Sequence, residues 1–159
     1  MTLEGIDDLD RYILYVLQGD AREASSNDIA QRMGVSSSTV RKRIDRLEVE
    51  GVITGYRATV DYAKAGFDLQ FQIVCTAPIE DRGDLAARAL DVPGVVGVRE
   101  IACGEGNVLV QVVAVDNEDL NRIARGLSDL GLAVADEQLV RRDRFTPYDW
   151  FEHSVDPAS

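Results

Sequence analysis

Two short helical patterns lie three residues apart between Ser25 and Glu50, and no other feature restricts the fold of this chain so strongly. The first covers residues 27–33, with Ile29, Ala30 and Met33 facing inward, and stops at Gly34, which suits the left-handed turn that closes a helix. Ser25 and Asp28 stand at capping-box spacing, with Asp in place of the usual Glu. The second pattern covers 37–50, with Ser36 as N-cap, Val40, Ile44 and Leu47 as its apolar stripe and Gly51 as its stop. At about 100° per residue, Ser38, Lys42, Asp45 and Arg46 point away from that stripe, and Arg41 and Arg43 flank it. A preceding helix over 7–19 carries Leu9, Ile13, Val16 and Leu17 on one face, with Asp7, Asp8 and Asp10 at the positive end of its dipole. Two β-prone runs around Gly55, within 52–60, predict a wing hairpin. Three helices and a wing make a winged helix-turn-helix, a motif that places its second helix in a DNA major groove.

The pattern changes beyond residue 66. Phe67, Leu69, Phe71, Ile73 and Cys75 alternate with polar residues, as in a strand with one buried face. A helix over 82–90, a Pro93-Gly94 turn, a strand over 95–103, a tight turn at Gly104-Glu105-Gly106-Asn107 and a strand over 108–115 follow. A helix over 117–130 and a strand over 133–142 complete a ferredoxin-like βαββαβ plait, with its first strand between the third and fourth. The fold class is therefore α+β. The domains are a DNA-binding head (1–62), a linker (63–66), an effector-binding and oligomerisation domain (67–144) and an aromatic tail (145–159) holding Phe145, Tyr148, Trp150 and Phe151.

Charge is distributed unevenly. The chain carries a net −11, yet Arg41, Lys42, Arg43 and Arg46 face only Asp45 within residues 36–47. The positive field is local, on an acidic background. Asp occurs 18 times and Lys only at 42 and 64, a usage that resembles proteins of salt-loving archaea. At 1 M salt the Debye length is about 3 Å, so long-range attraction to phosphates largely vanishes. Cys75 and Cys103 read as small buried strand residues, with a redox-sensing pair as the lesser alternative. With no Cys-x-x-Cys pair and a single histidine, His153, no zinc site assembles, and no metal or cofactor is expected. The first residues lack the basic and apolar regions of a signal peptide, and no apolar run is long enough for a membrane span, so a cytoplasmic protein is expected.

The expected partner is double-stranded DNA. Ser37, Ser38 and Thr39 lie in the first turn of the second motif helix, where short hydroxyls approach base edges in a groove about 12 Å wide. Lys42, one turn on, reaches a guanine edge; Arg41, Arg43 and Arg46 suit phosphates, which position the protein without encoding sequence. Arg57 in the wing suits the flanking backbone.

The stretch from Ser36 to Ile53, with Leu9-Asp10, Ile13-Leu14, Asp20-Ala21-Arg22, Gly55-Tyr56 and Val60-Asp61, closely resembles the Lrp/AsnC (leucine-responsive, feast-famine) transcription regulators. The resemblance spans nearly the whole chain. It implies a homodimer formed through the plait's sheet, often assembled into rings of dimers. It also implies a small-molecule effector, commonly an amino acid, bound between subunits near the turn that here reads Gly104, Glu105, Gly106 and Asn107. The family pattern usually has Asp where Asn107 stands, and hydroxyl residues where the last strand here reads Asp136-Glu137-Gln138-Leu139. Two other readings compete. A DNA-coating architectural protein would rely on phosphate neutralisation, which the acidic bulk opposes. A sirohaem decarboxylase-like enzyme of the same fold would need histidine or arginine groups in a tetrapyrrole pocket, and the lone histidine lies in the tail; no catalytic residue is expected.

Overall fold

The computed structural model describes residues 5–153; residues 1–4, part of the stretch read above for a leader, and the tail's last residues, 154–159, lie outside them. The chain divides into two compact units, one formed by residues up to Ala58 together with those from Arg144, the other by Thr59–Asp143.

The first unit holds α1 (Asp8–Asp20), α2 (Ser26–Met33), α3 (Ser37–Val49) and a short α6 (Trp150–His153). A complete capping box opens α1: Asp7 Oδ1 accepts from the Asp10 N–H at 3.0 Å, and Asp10 Oδ2 accepts from the Asp7 N–H at 3.1 Å. Of the box expected on α2, the Ser25 hydroxyl forms its half by accepting from the Asp28 N–H at 3.3 Å. Gly34 adopts φ +65° and closes α2 as its position predicts. The amphipathic stripes then meet: Leu9, Ile13, Ile29, Ala30, Val40 and Leu47 are buried together, with Ile44 and Ile53 against them. Full burial of each large aliphatic side chain contributes roughly 1.5–3 kcal/mol.

The expected wing hairpin does not form. No residue of 52–60 is in a strand. The reason lies at the end of α3, where Gly51 (φ +72°) donates to Glu48 O at 3.0 Å and Val52 to Leu47 O at 2.9 Å, a Schellman closure. Ile53 N–H also bonds Leu47 O, at 3.0 Å. The donors that would begin a hairpin ladder thus complete the helix instead. The segment beyond is tied to α3 by the Tyr56 hydroxyl, which donates to Glu48 Oε1 at 2.8 Å. Burial and that carboxylate push the Tyr56 pKa up to about 12. At the other end of the chain α6 packs on α1, and Tyr148 and Phe151 meet edge to face with centroids 5.0 Å apart.

The second unit holds β1 (Leu69–Thr76), α4 (Arg82–Ala89), β2 (Val95–Glu100), β3 (Val108–Ala114), α5 (Asn117–Asp129) and β4 (Ala133–Leu139). The sheet order is β2-β3-β1-β4, all antiparallel, so the first strand does lie between the third and fourth. Ile73 pairs with Val110 and Cys75 with Val108, and this face packs under α4 and α5 through Leu85, Ala89, Ile123 and Leu127. By alternation the other face presents Gln70, Gln72 and Val74 of β1 opposite Val113, Gln111 and Leu109 of β3. Strands end earlier than their periodicity suggests: β2 stops at Glu100 and β4 at Leu139. Cys103 consequently lies exposed in the turn, correcting its reading as a buried strand residue. Its Sγ donates to Glu105 O at 3.0 Å. Cys75 is buried as expected, and burial pushes its thiol pKa up to about 11.

Gly94 makes the tightest glycine-dependent approach in the plait. It has φ +99°, and a Cβ there would meet Ile123 Cδ1 at 2.5 Å and Val113 O at 3.2 Å. Gly94→Ala is expected to destabilise this unit by about 1–3 kcal/mol through overpacking and backbone strain. Denaturant melts monitored by circular dichroism check this; an unchanged midpoint would contradict the close approach.

Candidate nucleic-acid interface and the turn between β2 and β3

The N-terminal turn of α3 is organised by hydroxyls. Ser36 Oγ accepts from the Thr39 N–H at 3.1 Å and lies 2.9 Å from Ser38 Oγ and 2.8 Å from Thr39 Oγ1. Ser38 and Thr39 are therefore pre-oriented rather than free rotors; Ser38 is exposed, while Ser37 and Thr39 are half-buried. Arg41, Lys42 and Arg57 are exposed and make no ion pair among the described residues. These side chains can meet an anionic duplex without first leaving a partner.

Arg43 and Arg46 behave otherwise. Both turn toward the start of α1. Arg43 Nη1 donates to Asp7 Oδ2 at 2.6 Å and to Asp10 Oδ1 and Oδ2 at 3.2 and 3.1 Å. Arg46 Nη2 donates to Asp10 Oδ2 and, at 3.3 Å, to Gly5 O. The Asp10 side chain is fully buried, while Arg43 and Arg46 remain 30% and 37% exposed. The expectation that Arg46 points outward is thus corrected. It lies about 120° from Val40 around the helix, and its long side chain reaches back over the protein. Burial acts to raise the Asp7 carboxyl, but the Asp10 N–H and the Arg43 guanidinium outweigh it and hold the pKa below the usual carboxylate range. The same contact with Asp7 raises Arg43 further. Reading the sequence assigned Asp7 and Asp10 to the helix dipole and missed this pairing; two acids at i and i+3 opposite two arginines at i and i+3 were the available signal.

In the second unit the turn has a definite architecture. Asn107 is fully buried. Its Oδ1 accepts from the Ala77 N–H at 2.8 Å, and its Nδ2 donates to Ala77 O at 2.9 Å and Gly104 O at 3.4 Å. Both amide donors are therefore bonded to backbone, and the side chain does not face solvent. Gly106, at φ +60°, donates its N–H to Thr76 Oγ1 at 2.9 Å. Arg82 at the start of α4 donates to Ile101 O at 2.9 Å. Gly104 and Glu105 are exposed. A groove of about 620 Å³ between α4 and α5, rimmed by Arg88, Arg122 and Arg125, shares no residue with this turn. Among the described residues no cluster suited to a metal exists, and no helix is long and apolar enough to cross a membrane.

A helix-turn-helix with an exposed basic edge, joined to a βαββαβ plait, defines a DNA-binding transcription regulator, and comparison with known proteins agrees. A family model described as winged helix-turn-helix DNA-binding matches residues 6–54. The transcriptional regulator LrpA of Pyrococcus horikoshii is 34% identical over 118 residues, covering 72% of this chain and 80% of the relative. AldR of Mycolicibacterium smegmatis is 35% identical over 120 residues, covering 74% and 69%. Among solved structures, a feast or famine regulatory protein from M. tuberculosis, complexed with L-methionine, shares the fold with a TM-score of 0.74 at 24% identity, over 88% of this chain and 95% of that one. The chain belongs to the helix-turn-helix transcriptional regulators of the Lrp/AsnC, feast/famine type.

Two outcomes are expected from these geometries. Asn107→Ala strands the Ala77 N–H and should destabilise the plait by about 1–3 kcal/mol; an unaltered melt would mean the amide clamp carries no stability. Asp7 has a depressed folded pKa, so its stabilisation is complete above its unfolded value near about 4 and lost as pH falls through the lower folded value. Asp7→Asn should remove that contribution, leaving a shallower loss of stability below about pH 4, read from acid titrations of the thermal midpoint.

Proposed function

We propose that this regulator reads a partly palindromic operator as a homodimer and responds to an amino acid. The observation that carries the DNA reading is the line Ser38, Arg41 and Lys42 on α3, exposed and without acidic partners among the described residues. Lys42 and the hydroxyls of Ser37, Ser38 and Thr39 meet base edges; Arg41 and Arg57 meet phosphates. Dimerisation uses the sheet face opposite α4 and α5, where partly exposed Val74, Leu109 and Val113 alternate with glutamines. Rings of such dimers and a high-salt working environment extend the same reading, the latter supported by the 18 aspartates.

The effector site centres on exposed Gly104 and Glu105 with the backbone of Gly106, Glu105 receiving an ammonium group; Asn107 holds the turn in shape from behind. An L-methionine complex of a protein with this fold supports an amino-acid ligand.

Duplexes selected from a random pool test the interface. Lys42→Ala should lose about 1–3 kcal/mol and relax preference at one base position; an equal loss on all sequences would reassign it to phosphate. With Arg43 and Arg46 engaged by aspartates, log affinity against log KCl should fall with a slope of roughly −2 to −3 per head. A slope twice as steep would mean those arginines also meet DNA. Calorimetric titration with L-methionine and L-leucine tests the effector; binding that survives Glu105→Gln unchanged would sink this placement.

A further inference from the structure

We infer that Asp7 occupies the place on Arg43 that a DNA backbone phosphate would otherwise take, and so holds down the affinity and salt dependence of the α3 interface; this rests on α3 being the DNA-facing helix. The two arginines of the cluster differ in how firmly they are held. Arg46 is anchored to the fully buried Asp10 carboxylate and to Gly5 O. Arg43 also touches Asp10, but its shortest contact, 2.6 Å, is to Asp7, whose side chain is 51% exposed. An anionic oxygen at that distance from a guanidinium, at the protein surface, stands in for a phosphate oxygen. Together Asp7, Asp10, Arg43 and Arg46 are neutral. Removing the Asp7 charge leaves the buried Asp10 paired to Arg46 and makes the cluster positive beside Arg41 and Lys42.

Asp7 also caps α1 through Oδ1, so the replacement must keep a capping oxygen. Asn is as good an N-cap as Asp, and Asp7→Asn therefore removes the charge while retaining the helix start. Asp7→Ser, a different shape with the same capping ability, serves as the second variant.

The experiment measures binding of a selected duplex by fluorescence anisotropy over a fourfold range of KCl in which each variant melts cooperatively. Both variants are expected to bind more tightly than the parent chain. Their salt slope should steepen by about one phosphate equivalent, so that the affinity lost over the fourfold range grows roughly threefold. Adding Arg43→Gln should return the slope to the parent value. An unchanged slope in both variants overturns the inference, as does a gain in affinity that survives Arg43→Gln, which would mean only relief of long-range repulsion. Lys42→Ala separates this from the underlying reading. If Lys42→Ala weakens binding while the Asp7 variants leave the slope unchanged, only the phosphate surrogate falls; if neither has any effect, the α3 interface falls with it.

Discussion

A single buried carboxylate sets the orientation of α3, the second helix of the helix-turn-helix. Asp10 is inaccessible to solvent, and guanidinium groups from Arg43 and Arg46, one helical turn apart on α3, bond to it. A carboxylate buried without partners costs several kcal/mol, and removal of one partner from such a pair typically costs about 3–5 kcal/mol. Helix α3 therefore cannot roll about its axis without stranding that charge. Apolar contacts alone would tolerate some rotation, because Val40, Ile44 and Leu47 are similar branched aliphatics. The ion pairs remove that freedom, and with it they determine that Ser38, Arg41 and Lys42, rather than Arg43 and Arg46, form the outer edge.

This arrangement bears on how an acidic protein binds a polyanion. Four basic residues of α3 suggest a strongly cationic rod, but two of them are neutralised by Asp7 and Asp10 before any DNA arrives. Fewer released counterions make affinity less sensitive to salt. In the proposed interface recognition leans on short-range contacts, for which the hydroxyl turn at Ser36, Ser38 and Thr39 is already ordered. The acidic remainder of the chain, which leaves a net charge of −11, opposes indiscriminate coating of DNA.

The cores were legible from periodicity because burial and helical or strand spacing are the same fact seen twice. Leu9, Ile13, Val40 and Leu47 in the head, and Ile73, Leu85, Ile123 and Leu127 in the plait, lie where their spacing puts them. What escaped was settled by competition or by distance along the chain. The run around Gly55 has strand-forming residues, but Val52 and Ile53 give their N–H groups to Leu47 O, and β-propensity does not decide such contests. Arg43 and Arg46 were placed by their angle on α3, whereas their partners lie more than thirty residues earlier. Asn107 sits in a glycine-rich turn, a context that reads as solvent-exposed; only the fold brings Ala77, thirty residues away, against its amide.

That inward-facing amide constrains any ligand of the turn. Both Asn107 donors are bonded to backbone carbonyls, so in the proposed effector site a zwitterion arriving from solvent would meet the Glu105 carboxylate and the backbone of residues 104–106. One carboxylate can pair with an ammonium group. A ligand carboxylate needs cationic or amide donors, and the Gly106 N–H is already bonded to Thr76 Oγ1. In the proposed effector site the turn therefore answers the ammonium group, and Arg82 beside it is already engaged by Ile101 O and Glu100, which favours a second copy as the source of donors for the carboxylate. A ligand completed by two copies binds the assembled state better than the separated one, and that differential affinity is the only means by which a small molecule shifts such an equilibrium. Because Asn107 fastens the turn to Ala77, where the chain leaves β1 for α4, the turn is held by the core of the plait rather than free to adapt.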